Sequence, residues 1–223
     1  RDSRWKIKGE PTVVLVDFSS LIPRKDEILK SLWESYHVDS ISGQWDYIEP
    51  VLFGWAAGVV IASYVETFGT PTEKAVAHFH EWMTAAGGLY LRKHAPYIAT
   101  VFTTHATVMG RCIAGNRLPL YNDLPKFNAD ELARQFNVTA KHSIEKMAAA
   151  YHDAFLTVSD ITANECKYLL GREPDGVTPN GFENDFVWAG EEYYAKRDEA
   201  RRAMISVAEA CLGEKFTGDP LIV

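Results

Sequence analysis

The chain has 223 residues, of which 47% are hydrophobic and 24% charged, a composition that predicts an ordinary globular protein with a sizeable core. Its formal net charge of −7 argues against nucleic-acid partners, whose phosphates are bound by clustered Lys and Arg. The most apolar stretch, residues 51–65, is too short to span a bilayer, and residues 1–9 carry no apolar run typical of a signal peptide. We therefore expect a soluble cytoplasmic protein without a membrane partner.

The three cysteines, Cys112, Cys166 and Cys211, lie far apart in the sequence. Their odd number and wide spacing predict neither a disulfide framework nor a CxxC metal pair. The simplest interpretation is that they are small apolar residues in a protein of a reducing compartment.

Strand-like and helix-like segments alternate along the chain. In order they are a β-rich run at 12–18, helices at 25–36 and 49–68, a strand at 75–79, a helix at 81–94, a strand at 97–104, a helix at 130–152, a strand at 154–158, and helices at 160–170 and 191–211. Strands separated by helices at this spacing indicate βαβ units. The predicted fold class is therefore α/β, with a Rossmann-like, doubly wound parallel sheet.

Both ends of the chain carry β-rich runs. Residues 12–18 form such a run almost at the start, and residues 221–223 are an apolar run too short for a strand. A buried half-strand would leave backbone groups without hydrogen bonds. We therefore expect this chain to be a piece of a longer protein.

Polar clusters follow the predicted strands. They are residues 78–82 (HFHEW), 103–107 (TTHAT) with 109–111 (MGR), 158–162 (VSDIT) and 178–181 (TPNG). Carboxyl ends of parallel strands meet at one edge of a sheet, which is where ligands bind in such folds. The four clusters together predict one site at that edge.

His78 and His80 lie two residues apart, so both side chains are expected on the same face of a strand. Three interpretations remain open from the spacing. His78 is a core residue with a hydrogen-bond partner, or the histidines contact a sugar hydroxyl or phosphate. In the third interpretation, both histidines bind a metal ion together with Glu81 or His105, because HxH at a strand end is a common ligand spacing.

Several further residues have two interpretations each. Arg111 near a helix start either meets an anion together with free backbone N–H groups or forms a structural ion pair. Trp82 either stacks on a sugar ring or belongs to the core. Residues 180–181 form a simple turn or a substrate-facing loop. Glu145, in the middle of a helix, is assigned to a solvated face.

The ordered motifs resemble the N-terminal domain of eukaryotic-type glycogen synthases, the family 3 retaining glycosyltransferases. They are residues 78–82, 102–107 with 110–111, 157–162, 172–175 and 177–181. The resemblance implies a GT-B enzyme with two facing Rossmann-like domains. Residues 1–188 would be a partial, acceptor-side N-terminal domain. Residues 189–223 would be a linker helix and the first strand leading to the nucleotide-sugar domain.

The resemblance also implies an activity. Glucose would pass from a nucleotide sugar, UDP-glucose rather than ADP-glucose, to the non-reducing end of an α-1,4-glucan such as glycogen, with retention. No metal or other cofactor would be needed, and a homo-oligomer is compatible with the family. This chain alone is expected to be inactive, because the nucleotide pocket lies in the second domain. The alternatives are a non-catalytic glucan- or protein-binding module, or a metal-dependent hydrolase.

The resemblance finally implies roles for individual residues. His80 would be the catalytic residue, beside the donor glucose. The substrate-binding residues would be Glu81, Trp82, His105, Arg111, Asn180 and Gly181. Residues 142–146 replace a more basic, cysteine-containing stretch of eukaryotic members, which indicates a bacterial origin without sugar-phosphate regulation.

Overall fold

The computed structural model describes residues 2–70, 72–182 and 187–216, which belong to two compact units. The first unit is Arg1–Pro179 and the second is Asn180–Val223. The boundary between them comes earlier in the chain than the predicted domain boundary after residue 188. The apolar run at 221–223 lies outside the described residues.

The sheet of the first unit has four parallel strands. A separate antiparallel pair precedes it, formed by β1 (Asp2–Arg4) and β2 (Thr12–Val14). The parallel strands are β3 (Val76–His80), β4 (Ala99–Thr104), β5 (Ala154–Thr157) and β6 (Gly176–Val177), paired in that order. The predicted parallel α/β fold is confirmed. Strands that succeed one another in chain order form one half of a doubly wound sheet.

Helices connect and cover these strands. They are α1 (Lys25–Tyr36), α2 (Trp45–Phe68), α3 (Ala85–His94), α4 (Val108–Gly115), α5 (Leu120–Asp123), α6 (Ala129–Gln135), α7 (Thr139–Tyr151) and α8 (Asp160–Glu165). Short 3-10 turns lie at Ser19–Arg24 and Leu124–Lys126, and α8 continues as a π-helix at Cys166–Leu170. The second unit contains α9 (Glu191–Leu212).

The long helix predicted at 130–152 is wrong, because the chain breaks there into α6 and α7. Asn137 adopts a left-handed conformation with φ of 55°, which an α-helix cannot continue through. The Val138 N–H then donates to the Ala133 carbonyl at 2.8 Å, closing the end of α6. The helix predicted from residue 81 begins only at Ala85, since residues 81–84 turn away from β3.

Helices α2 and α3 pack with their backbones in contact. A Cβ built on Gly58 would lie 2.6 Å from the Gly87 carbonyl oxygen, and one on Gly87 would lie 2.5 Å from that of Gly54. Only glycine permits this approach. By length and composition alone α2 could span a membrane, the one such helix in the described part of the chain. The prediction that the apolar stretch at 51–65 is too short to span a bilayer is therefore wrong, because the helix continues on both sides of it. Gly54 and Gly58 of this helix are buried against α3.

The sheet buries one face and exposes the other along β3. Ala77 and Phe79 enter the main apolar cluster, where Phe102 and Phe155 of the next strands stack with ring centroids 5.8 Å apart. Side chains alternate along a strand, so Val76, His78 and His80 project from the opposite face, where all three are exposed. The histidine pair of β3 therefore lies outside the core.

A second apolar cluster fixes α4 in place. Its buried residues are Met109, Ile113, Leu120, Leu124, Ala129, Ala133 and Leu169. They bring α4, α5 and α6 together beside the π-helix. With Met109 and Ile113 pointing inward, Arg111 on the same helix is exposed.

Candidate active site at the carboxyl edge of the sheet

The carboxyl ends of β3 and β4 bring together the first two predicted polar clusters. His80 ends β3, and its strand neighbour in the register is Thr103 of β4. The loop of residues 105–107 follows β4 and leads directly into α4. On β5 the next cluster begins with Ser159, whose Oγ caps α8 by accepting from the Thr162 N–H at 3.1 Å. The predicted convergence at one edge is therefore observed for these strands.

Three histidines form a group on the exposed face at this edge. His80 Nδ1 and His105 Nε2 are 3.0 Å apart and share a hydrogen bond. The rings of His78 and His80 have centroids 4.1 Å apart, and His78 Nε2 lies 2.7 Å from Thr103 Oγ1. His78 is therefore exposed and hydrogen-bonded, and the interpretation of it as a core residue is wrong.

His78 and His80 favour the neutral imidazole form. Partial burial lowers the pKa of His80 below its ordinary value, and repulsion from His78 and His105 lowers it further. Burial and the charge of His105 lower the pKa of His78 in the same way. A neutral imidazole has one donor and one acceptor nitrogen, so His78 and His80 can each form a hydrogen bond with a hydroxyl group. Across the described residues, no three His, Cys, Asp or Glu side chains are arranged to hold a metal ion.

Glu81 supports the loop that carries His105. Its Oε1 accepts from the His105 N–H at 2.9 Å, and its own N–H donates to the Thr103 carbonyl at 2.9 Å. Glu81 has a φ of 63°, a left-handed conformation that costs energy for a residue other than glycine. Backbone strain of this kind is concentrated at functional sites. A direct contact of Glu81 with substrate stays a prediction.

Arg111 lies in the first turn of α4, pointing to solvent. Thr107 caps this helix, its Oγ1 accepting from the Gly110 N–H at 2.9 Å. Arg111 has no ion-pair partner in residues 2–70, 72–182 and 187–216. A structural ion pair, one of the two interpretations from sequence, is therefore absent there. An unpaired guanidinium beside a helix N-terminus suits an anionic ligand.

Trp82, Asn180 and Gly181 are the other predicted substrate-binding residues. Trp82 is half-buried and stacks on Tyr47 with ring centroids 6.0 Å apart, while Lys141 Nζ lies 5.5 Å from its ring centroid. Asn180 and Gly181 are exposed and open the second unit. Binding of substrate by these three residues stays a prediction.

Glu145 was missed by the sequence analysis, and its assignment to a solvated face is wrong. Its side chain is fully buried, with Oε1 accepting from Thr104 Oγ1 and Oε2 from the Val108 N–H, each at 2.9 Å. Burial raises the pKa of Glu145 to about 8, partly opposed by these two hydrogen bonds. Its helix position gave no signal, because both partners lie on distant segments of the chain.

Glu165 is a second buried carboxylate that the sequence did not indicate. Its Oε2 accepts from Thr107 Oγ1 at 2.8 Å, and its Oε1 accepts from the Tyr121 hydroxyl at 3.2 Å. A Cβ on Gly110 would overlap Oε2 and lie 3.0 Å from Glu165 Cδ. The carboxylate thus packs directly against the first turn of α4.

Comparison with known proteins gives a consistent family. The family model described as glycogen synthase matches residues 2–202. The chain is 34% identical over 190 residues to glycogen [starch] synthase of Dictyostelium discoideum, covering 85% of the chain and 21% of that protein. It is 34% identical over 178 residues to the Neurospora crassa enzyme of the same name, and 35% over 180 residues to isoform 2 of Saccharomyces cerevisiae. These two alignments cover 80% of the chain and 25% of each relative. The chain thus spans a quarter or less of the relatives' length.

Proposed function

This chain belongs to the glycogen synthase family, and we propose that the whole protein transfers glucose from a nucleotide sugar to an α-glucan. The observation that carries the proposal is the contact of His80 with His105 at 3.0 Å, at the edge of the sheet where such folds bind ligands. Both residues lie within the region that the family model matches. The relatives are named glycogen [starch] synthases, which supports a glucan acceptor.

In the proposed reaction, the residues of this chain bind and orient the substrates. The imidazoles of His80 and His105 hydrogen-bond to the transferred sugar, and His80 lies beside the reacting carbon. Arg111 meets negative charge on the diphosphate or in the transition state. Hydrogen-bond donors and the Arg111 guanidinium would stabilise the negative charge that develops on the leaving diphosphate as the sugar becomes oxocarbenium-like.

We further propose UDP-glucose as the donor, an α-1,4 product and retention at the anomeric carbon. The reaction would need no metal ion, so dialysis against EDTA is expected to leave the rate unchanged. We place the protein in the cytoplasm, an assignment supported by Cys112, Cys166 and Cys211 all being free thiols.

The test is glucose incorporation into glycogen by the full-length protein, with UDP-glucose and ADP-glucose compared. His80→Ala and His105→Ala are each expected to lower kcat/KM by about 100-fold, since each removes a group that positions the sugar. His94→Ala is the matched control, because His94 is an exposed histidine at the end of α3 that packs on Tyr90.

The outcomes separate the alternatives. Activity lost in both site variants and kept in His94→Ala supports the proposal. If the folded wild-type protein incorporates glucose from neither donor, the proposal is refuted. The alternative function, a non-catalytic glucan- or protein-binding module, would then be favoured. NMR of the first-formed product, read at the anomeric proton, distinguishes retention from inversion.

A further inference from the structure

The segment that carries His105 and Arg111 is held by buried side chains that face away from solvent. We call residues 104–111, which run from the end of β4 through the first turn of α4, the edge segment. Thr104, Thr107 and Val108 are buried, while His105 is half-buried and Arg111 exposed. The segment therefore has an inner side that is fixed and an outer side that faces the proposed substrates.

Glu145 bridges the two ends of the turn in this segment. One carboxylate oxygen binds the side chain of Thr104, the last residue of β4, and the other binds the backbone N–H of Val108, the first residue of α4. Both distances are 2.9 Å. His105 lies between the two bonded residues, so these hydrogen bonds restrict the movement of its backbone.

Glu165 fixes the next part of the same segment. It accepts from Thr107 Oγ1 at 2.8 Å, and this oxygen in turn accepts from the Gly110 N–H at 2.9 Å. Thr107 is thus both the N-cap of α4 and the link to Glu165. The absence of a side chain at Gly110 lets the carboxylate contact the helix immediately before Arg111.

Two buried carboxyl groups hold this turn, an arrangement that is unfavourable for stability. Neither Glu145 nor Glu165 has a Lys, Arg or His ion-pair partner in the part of the chain that the structure describes. Burial of an unpaired carboxyl group is unfavourable, and well-packed apolar residues commonly replace such groups without loss of stability. Their hydrogen bonds all go to the edge segment or to Tyr121.

We propose that Glu145 and Glu165 are positioning residues, which hold the edge segment so that His105 and Arg111 keep a fixed place at the site. This inference rests on the proposed function for its effect on the rate. Its geometric part does not, because the contact of His105 with His80 can be followed without substrate. A misplacement of about 1 Å at a reacting centre can cost 100-fold in rate.

The experiment compares Thr107→Val with Thr107→Ser in the full-length protein. Valine keeps the shape but loses the oxygen that joins Glu165 to the Gly110 N–H, whereas serine keeps it. Thr107→Val and Glu165→Gln are expected to lower kcat by about 10- to 100-fold, with KM for glycogen within about threefold of wild type. Thr107→Ser should retain kcat within about threefold of wild type.

A control and an independent signal complete the test. Asn128→Ala removes the N-cap of α6, whose Oδ1 accepts from the Glu131 N–H at 3.2 Å, and should leave kcat unchanged despite a similar loss of stability. Two-dimensional ¹H–¹⁵N spectra of the imidazoles report the His80–His105 contact. In Thr107→Val these signals should shift, and they should return in Thr107→Ser.

If Thr107→Val and Glu165→Gln lower only stability, with kcat and the imidazole signals unchanged, Glu165 serves the fold alone and the proposal that both residues position the edge segment is overturned. A wild-type protein without glucose transfer would refute the proposed function instead. The imidazole spectra would still decide whether the carboxylates position His105.

Discussion

His152 and Gly88 are packed so tightly that a single methyl group should disturb the core. The His152 ring is buried between Phe79 and Phe102, with centroid distances of 5.7 and 5.4 Å. Its Nδ1–H donates to the Ala148 carbonyl at 2.9 Å, and its buried Nε2 has no hydrogen-bond partner among the residues that the structure describes. A Cβ on Gly88 would overlap Nε2 and lie 2.6 Å from Cε1.

We expect Gly88→Ala to lower the free energy of unfolding by about 1–3 kcal/mol. Overpacking in a core costs about 1–3 kcal/mol. Moving the imidazole also strains the hydrogen bond to Ala148, worth about 1 kcal/mol. Against these costs, alanine in place of glycine inside a helix contributes about 1 kcal/mol of stability.

The assay is urea-induced unfolding, followed by tryptophan fluorescence and far-UV circular dichroism. Gly115→Ala is the matched control, because Gly115 also lies in a helix but a Cβ there meets nothing within 4 Å. It should leave stability unchanged or raise it by up to about 1 kcal/mol. A second substitution, His152→Ala, should relieve the clash, so the double variant should be more stable than the two single losses predict. If Gly88→Ala behaves like Gly115→Ala, the close packing does not exist.

Three further predictions concern single side chains. Burial lowers the pKa of His152 to about 4, so the unfolded chain binds more protons below its ordinary pKa of about 6.5. Between pH 7 and pH 5 the unfolding free energy of the wild-type protein should therefore fall by about 2 kcal/mol relative to that of His152→Gln, a difference in which contributions of other groups cancel. Glu145 changes stability in the opposite direction, because its pKa is raised to about 8. Its contribution to the unfolding free energy is fully present below about pH 4.5 and is lost as the pH rises through 8. Glu145→Gln should then be more stable than the wild type at pH 8 in the same urea assay. An equal loss of unfolding free energy with rising pH in the wild type and in Glu145→Gln would contradict this. Asn137, with φ of 55°, should tolerate glycine. Asn137→Ala should lower the free energy of unfolding by about 1 kcal/mol, measured as a lower thermal midpoint.

Local sequence patterns predicted the features that depend on neighbours along the chain. The predicted helix at 25–36 is confirmed as α1, which ends where His37 takes a left-handed conformation with φ of 58°. The convergence of His80 and His105 followed from parallel topology, since the two strands had only to lie side by side. The hydrogen bond between them was not predicted, because it depends on side-chain orientations that the sequence does not specify.

Long-range partners could not be predicted in this way. Glu145 has the spacing and polarity of a solvated helix residue, and only the tertiary fold brings Thr104 and Val108 against it. Asn137 likewise interrupts a helical pattern that continues on both sides, and its left-handed backbone conformation is visible only in the structure. Burial of a carboxylate is a property of what surrounds it, and the chain around position 145 does not contain those surroundings.

The order of the parallel strands has a consequence for how the chain reaches its folded state. β3 pairs with β4, β4 with β5 and β5 with β6, so each strand docks on the one synthesised just before it. Domains fold from the N-terminal side as they leave the ribosome, and contacts close in sequence form faster than distant ones. The sheet can therefore grow one strand at a time during translation, and the edge that carries His80 and His105 is assembled at the first pairing step.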